Sequence, residues 1–317
     1  MVFLHMKRRL LAFSILVVFG LFLSFPGQVF DGAKNGLLLW FQIMLPTLFP
    51  FMVITTLLIN TSAVHTLSRL FSPIFGRLFS VSSYGSLAVF IGFLCGYPMG
   101  SKVTADLLRN GYITISEGQY LLSFCNNTSL SFSVSFLIWQ TLHRPDQTFP
   151  FLFILFLAPF TVSLFARKIH KPSSMYASDC SNSFVFKKSL KTRQLLDQCI
   201  LGSFEAMVKI GCYMMFFSIL ITFCRLWFPK DSFLSALILS SFELTNGIVL
   251  LSNMKLSNLT FQILSLSLTS FGGWCAAAQT FSMIQDTKLK LFPYIIEKLA
   301  TMLVTSLYTY CYLIFLS

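Results

Sequence analysis

The sequence predicts an all-α polytopic membrane protein of about 7–9 membrane segments, built as two inverted-topology halves with broken or re-entrant helices. Three observations carry this reading. Of 317 residues, 55% are hydrophobic and only 11% are charged, and the mean hydropathy is +0.75. A soluble domain carries roughly a quarter charged residues. Apolar runs of about 20 residues recur, the length that a helix needs to cross hydrocarbon. No β-barrel alternation is seen, so helices must satisfy the backbone in lipid. Finally, one pattern occurs twice. Phe93-Leu-Cys-Gly-Tyr-Pro-Met-Gly-Ser-Lys102 interrupts an apolar run, and Phe124-Cys-Asn-Asn-Thr-Ser129 follows, with Phe124 lying 24 positions after Gly100. Glu243-Leu-Thr-Asn-Gly247 interrupts another run, and Phe271-Gly-Gly-Trp-Cys-Ala-Ala-Ala-Gln279 follows, with Phe271 lying 24 positions after Gly247.

The net charge of +12 would suggest nucleic acid in a soluble chain. Here Lys and Arg sit in short loops beside apolar runs, which the positive-inside rule explains, and no nucleic-acid motif is present. The eight Cys are scattered without a Cys-x-x-Cys pair, and the four His are far apart. Neither a disulfide framework nor a metal site is expected.

Residues 1–31 read as a signal-anchor span. Lys7-Arg8-Arg9 precedes the apolar run Leu10–Phe25, and no small-x-small cleavage site follows Pro26-Gly27. The N-terminus is expected in the cytoplasm. Residues 32–166 form the first membrane repeat. Gly36–Ile59 is a span that Pro46 and Pro50 must kink. In Val64–Phe79, Arg69 and Arg77 alternate with apolar residues, as in a helix lying at the interface. Ser86–Cys95 is too short to span and reads as one arm of a broken or re-entrant helix. Ser101 can cap a short helix that stops at Asn110-Gly111. Ser116 and Gln119 fit a capping box that starts a helix through Phe124. Leu130–Leu142 and Phe149–Phe165 complete this half.

Residues 167–195 form a basic linker with Arg167, Lys168, Lys171, Lys187, Lys188, Lys191 and Arg193, expected in the cytoplasm. Residues 196–317 form the second repeat, with runs Cys199–Phe228, Phe233–Met254, Leu259–Ile284 and Phe292–Leu316. Glu205 and Lys209 form a favourable i, i+4 pair. Three crossings and one hairpin per half bring the linker inside. They also place Lys255, Lys288 and Lys290 inside.

The interruptions hold the candidate binding residues. A helix break in lipid leaves N–H and C=O groups unpaired unless it lines a polar cavity. Gly96, Tyr97, Pro98, Gly100 and Ser101 form the first break. Lys102 beside it suits a carboxylate or phosphate, or else snorkels to the interface. Asn126, Asn127, Thr128 and Ser129 present several donors and acceptors in one turn. Glu243 is an acid inside a span, a functional candidate that could carry a proton or pair with Lys102. Thr245, Asn246 and Gly247 follow it. Gly272 and Gly273 allow a tight hairpin tip, and Gln279 is the polar residue beyond. No catalytic cluster, nucleotide loop or cofactor motif is visible, so an enzyme is not expected and any transport is secondary or channel-like.

At these motifs the chain resembles the YlbJ-type sporulation integral membrane proteins, which contain nucleoside-recognition (Gate) domains. The residues are Gly96-Tyr97-Pro98 with Gly100 and Lys102, Asn126-Asn127, Glu243-Leu244-Thr245-Asn246-Gly247, and Phe271-Gly272-Gly273 with Ala278-Gln279. The resemblance runs from about Gly32 to the C-terminus. Leu130 departs from it, where Pro is expected after the Asn-Asn-Thr-Ser turn. The resemblance implies a multi-pass cell-membrane protein of spore-forming bacteria, placed at the outer forespore membrane and linked to movement of dipicolinate into the forespore. A nucleoside is the alternative solute. A non-transporting scaffold or sensor is the alternative of another class. The expected partners are the lipid bilayer and a small solute, carboxylate or nucleoside; a homo-oligomer stays open.

Overall fold

A computed structural model describes residues 2–172, 192–229 and 232–315. Among them all regular structure is helical. Lys187, Lys188 and Lys191 of the expected linker lie outside the described residues. Among the described residues four helices are long and apolar enough to cross a membrane, five if one bent pair counts as a span.

Helix α1, Val2–Ser24, is followed by α2, Pro26–Leu39, with Pro26 in its first turn. The second helix thus starts ten residues before Gly36, and residues 26–31 belong to it rather than to the anchor. A π-helical turn at Trp40–Met44 joins α2 to α3, Leu45–Ile59, giving one apolar helix over Pro26–Ile59. The widened turn falls just before Pro46, which has no N–H to donate, and Pro50 lies within α3, so the path stays one helix across both prolines. The interfacial segment is α4, Ala63–Phe71, a π turn, and α5, Arg77–Phe79. It meets the next helix at 86°.

That next helix, α6 (Ser83–Cys95), and α7 (Met99–Arg109) form a hairpin with its tip at Gly96-Tyr97-Pro98. The Tyr84 ring near the start of α6 lies 4.7 Å from that of Tyr112, just beyond the end of α7, tilted 32° to it. Ser101 does not cap α7. The helix starts two residues earlier, and the Ser101 hydroxyl donates to Pro98 O at 2.7 Å. Asn110 and Gly111 (φ +75°) end it as expected. Helix α8, Ile115–Cys125, is capped by Thr114, whose hydroxyl accepts from Glu117 N, rather than by Ser116. Gln119, expected in the box, instead bonds both backbone groups of Lys290. After a break at residues 126–129 the path continues as a π-helical arm, Phe132–Thr141, and returns as α9, Thr148–His170.

The second half repeats the order. It comprises the long α10 (Thr192–Trp227), the pair α11 (Phe233–Ser240) and α12 (Leu244–Ser252), the pair α13 (Asn258–Phe271) and α14 (Gly273–Ile284), and the long α15 (Leu291–Phe315). The expected pair Glu205–Lys209 forms on α10 at 2.8 Å.

Equivalent helices run in opposite directions. Gly32 lies against Ile219, Gly36 against Met215, and Trp40 Nε1–H donates to Met207 O at 2.9 Å, so α2 ascends as α10 descends. On α9 and α15, Phe151 meets Tyr312, Thr161 meets Tyr308 and His170 meets Glu297. Both broken helices run the length of a neighbour. Trp139 reaches Thr148 at the start of α9, and Tyr294 near the start of α15 reaches Thr280 of α14. Gly272-Gly273 is therefore a break within a continuing path and not a hairpin tip. The tips are 96–98 and 241–243.

One end of the bundle gathers the charges. Arg109 binds Asp286 and Met283 O, Gln119 binds Lys290, and His170 binds Glu297. The first hairpin opens toward this end, which is why Arg109 lies there. The second opens toward the other, where Leu251 and Leu256 cluster with Leu142 and Phe151. Lys255 therefore lies at the opposite end from Lys288 and Lys290, correcting the expectation that all three share a side. A hairpin returns to the end it entered.

Candidate functional site

The interruptions of both halves converge. In the first half α8 approaches α7 backbone to backbone. A Cβ on Gly100 would sit 2.4 Å from Cys125 O, so only glycine permits the approach. Ser101 N–H donates to Asn126 Oδ1 at 3.3 Å. In the second half Trp274 N–H and Cys275 N–H at the start of α14 donate to Ser241 O and Phe242 O in the other break, at 2.8 and 2.9 Å. Gly247 lies against the Ser240 backbone and Gly273 against Ser241. Each break thus supplies the partners that the other lacks, as backbone polarity in lipid requires.

Tyr97 joins the halves. Its hydroxyl donates to Ser270 O at 3.1 Å and to Thr269 O at 3.3 Å, in the last turn of α13. Its ring fills the place where Gly272 has no side chain; a Cβ there would lie 2.4 Å from Tyr97 Cζ, and the φ of +85° itself favours glycine. Asn126 is fully buried, and its amide donates to Thr280 Oγ1 at 2.8 Å and to the Tyr294 hydroxyl at 3.0 Å.

Where these parts cross lies a cavity of about 680 Å³. Tyr97, Thr128, Ser129, Glu243, Thr245, Gly272 and Gln279 line it, so seven of the residues singled out by sequence, from all four breaks, share one wall. Met44, Phe51, Phe132, Phe136 and Met214 supply its apolar surface, and Ser135 and Gln140 add polar groups. The volume falls within the range of small-molecule sites, as does the mix of apolar wall and a few polar groups.

The remaining candidates do not reach this cavity. Gly96 ends α6 against Ser129, and Pro98 follows a cis peptide bond at the tip. Asn127 lines a smaller cavity of about 240 Å³ on the other side of the 127–130 segment. Asn246 N–H donates to Glu243 Oε2. Lys102 neither lines the cavity nor snorkels freely. It is buried, with Nζ 2.7 Å from Asp106 Oδ2 and 2.8 Å from Thr56 Oγ1. It does not pair with Glu243. The Glu243 carboxylate accepts from Thr245 N at 3.0 Å and Asn246 N at 2.8 Å and so caps α12. The anion at that helix start is the protein's own side chain.

Sequence reasoning missed Lys298. It lies on α15, 1% exposed, with Nζ donating to Asn126 O at 3.1 Å and Asn127 Oδ1 at 3.0 Å and lying 5.2 Å from the Tyr97 ring centroid. A Glu-Lys pair inside an apolar run, Glu297-Lys298, was the available signal.

No protein-family model and no solved structure matches the chain. It is 23% identical over 308 residues to the curated "Sporulation integral membrane protein YlbJ" of Bacillus subtilis (strain 168), covering 87% of this chain and 76% of that relative. The match supports the YlbJ-type resemblance that the motifs carry.

Proposed function

We propose that this relative of the YlbJ-type sporulation membrane proteins is a secondary transporter or facilitator for a small polar solute. The observation that carries the reading is the cavity of about 680 Å³ at the crossing of four helix interruptions drawn from two inverted halves. Broken helices meeting around a central cavity allow two halves to rock about a fixed site, with the solute bound by groups that the breaks expose. The sporulation setting comes from the relative's name. The charged end of the bundle, which includes the approach to the basic linker, is the cytoplasmic one on the positive-inside rule.

The wall chemistry favours an uncharged solute. Hydroxyls, two glutamines and the Glu243 carboxylate line the cavity, and among the described residues no Lys, Arg or His does. The aromatic and thioether side chains suit a flat ring, and hydroxyls and amides suit its polar edge, as a nucleoside would offer. Dipicolinate, the solute that the resemblance implies, is the second reading. Its flat ring suits the same aromatic wall, while Lys102, the cation that the sequence offers for it, is engaged by Asp106 outside the cavity.

The test is uptake of radiolabelled uridine and of dipicolinate into proteoliposomes. Uptake of either is expected to fall at least tenfold in Gln279→Leu, which removes a wall amide without touching the fold's backbone contacts. Folded wild-type protein that moves neither solute would instead favour a scaffold or sensor, which should tolerate Gln279→Leu in a sporulation assay.

A further inference from the structure

We propose that Lys298 carries the coupling proton of the transport cycle, an inference that rests on the transporter reading above. In the structure its ammonium is a staple. Nζ binds the carbonyl and the side-chain oxygen of two successive residues of the first-half break, Asn126 and Asn127. On its other side is the ring of Tyr97, which lines the cavity and holds the second half through Ser270 O. One charge therefore touches a break in the first half and, through one ring, a break in the second.

Both acceptors are neutral. Among the described residues no carboxylate lies within ion-pair distance of Lys298, and the adjacent Glu297 turns to His170. Among the described residues the titratable groups beside Nζ are Tyr97 from the hairpin tip and Cys125 from α8, with Tyr294 of its own helix sharing Asn126 as a partner. Helix α13 carries none, Cys275 of α14 is turned to Glu243 and Gln279, on α8 Glu117 accepts from Ser82 N and Tyr120 donates to Phe79 O, and on α9 Arg167 and Lys168 lie in the last turn with His170, which is held by Glu297.

A glutamine would make comparable hydrogen bonds without the desolvation of a buried, uncompensated ammonium. What lysine adds is a proton that can leave. The step is Nζ–H₃⁺ ⇌ Nζ–H₂ + H⁺, with the proton delivered to water on one side and taken from water on the other. The ammonium holds the two breaks together. The neutral amine loses the electrostatic part of its bonds to Asn126 and Asn127 and of its attraction to the Tyr97 ring, which frees the halves to rearrange. Glu243, the acid that sequence reasoning favoured for this role, is held as a helix cap by two backbone N–H groups.

The experiment compares two modes of uridine and dipicolinate movement in proteoliposomes: uptake driven by a pH gradient, and exchange of labelled for unlabelled solute without one. Wild type is expected to show gradient-driven accumulation. Lys298→Gln, which is neutral and has no proton to release, is expected to keep exchange within about threefold and to lose the stimulation by the gradient, whereas Lys298→Arg, which stays charged and so keeps the breaks joined, is expected to lose both. Retained stimulation in either folded variant overturns the inference and leaves the transporter reading standing. So does wild-type transport that is indifferent to the pH gradient, a result that needs no variant to fold. Absence of both uptake and exchange in folded wild type overturns the transporter reading and the inference with it.

Discussion

At the scale of the residue, two lysines show how similar side chains acquire different work from their neighbours. Lys102 has a carboxylate one helical turn away, so its charge is compensated and it serves α7 and α3 as an anchor. Lys298 has only neutral oxygens and a ring. Lys102→Met should therefore lower the thermal midpoint, with a loss of about 1–3 kcal/mol for a buried charged hydrogen bond. Solute uptake per folded molecule should stay unchanged. A strong drop in uptake at full stability would return Lys102 to the binding site. Glycine has a comparably specific role at two places, Gly100 beneath Cys125 O and Gly272 beneath the Tyr97 ring, where a methyl group has no room.

At the scale of the element, short helices depend on their caps because few of their backbone groups have partners within the helix. Helix α12 has nine residues and Glu243 as its cap. Glu243→Ala should cost about 0.5–2 kcal/mol through the lost cap, while Glu243→Gln, which keeps one acceptor, should recover much of it. Thermal unfolding in detergent would check the order of the three proteins. The α7–α14 junction carries a pH-dependent contact. Hydrogen bonds from Arg109 hold the Asp286 carboxyl below the usual carboxylate range. The folded form thus binds this proton less tightly than the unfolded chain, whose Asp titrates near ~3.9. The stabilisation is present above that value and fades as pH falls through the lower folded one. Since the Asp286 side chain is 62% exposed, solvent screening keeps it below about 1 kcal/mol. Asp286→Asn should flatten the fall of the thermal midpoint between roughly pH 5 and 3. An unchanged slope would assign the acid sensitivity to other carboxyls.

At the scale of the whole molecule, the two halves are joined by α2 with α10, by α9 with α15, and by the crossing of the breaks. The first joint is tight: a Cβ on Gly36 would lie 2.6 Å from the Met215 Cα. Gly36→Leu should cost about 1–3 kcal/mol or more by overpacking and should reduce uptake together with stability. Leucine accepted with neither loss would mean that α2 and α10 separate freely in the membrane. The same joint shows why the inverted arrangement positions a site. When equivalent helices run in opposite directions, the tip of a hairpin entering from either end comes to the middle.

The sequence by itself determined the class of the protein and the places where its helices break. Composition and run length are one-dimensional properties, and lipid forces apolar runs into helices whatever their partners. The Gly, Pro and Asn positions at 96–98, 126–129 and 272–273 were legible because a break in lipid needs residues that permit unusual backbone or supply hydrogen bonds. Only the tertiary structure decided which breaks are hairpin tips and which are continuing helices, since both look alike until neighbours are known. It also decided that Ser101 and Ser116 are not caps, that Lys255 lies apart from Lys288 and Lys290, and that Lys102 turns away from the cavity. Lys298 reaches the breaks because α15, far along the chain, packs its second turn against Asn126 and Tyr97. That contact depends on how helices cross, and no local pattern encodes it.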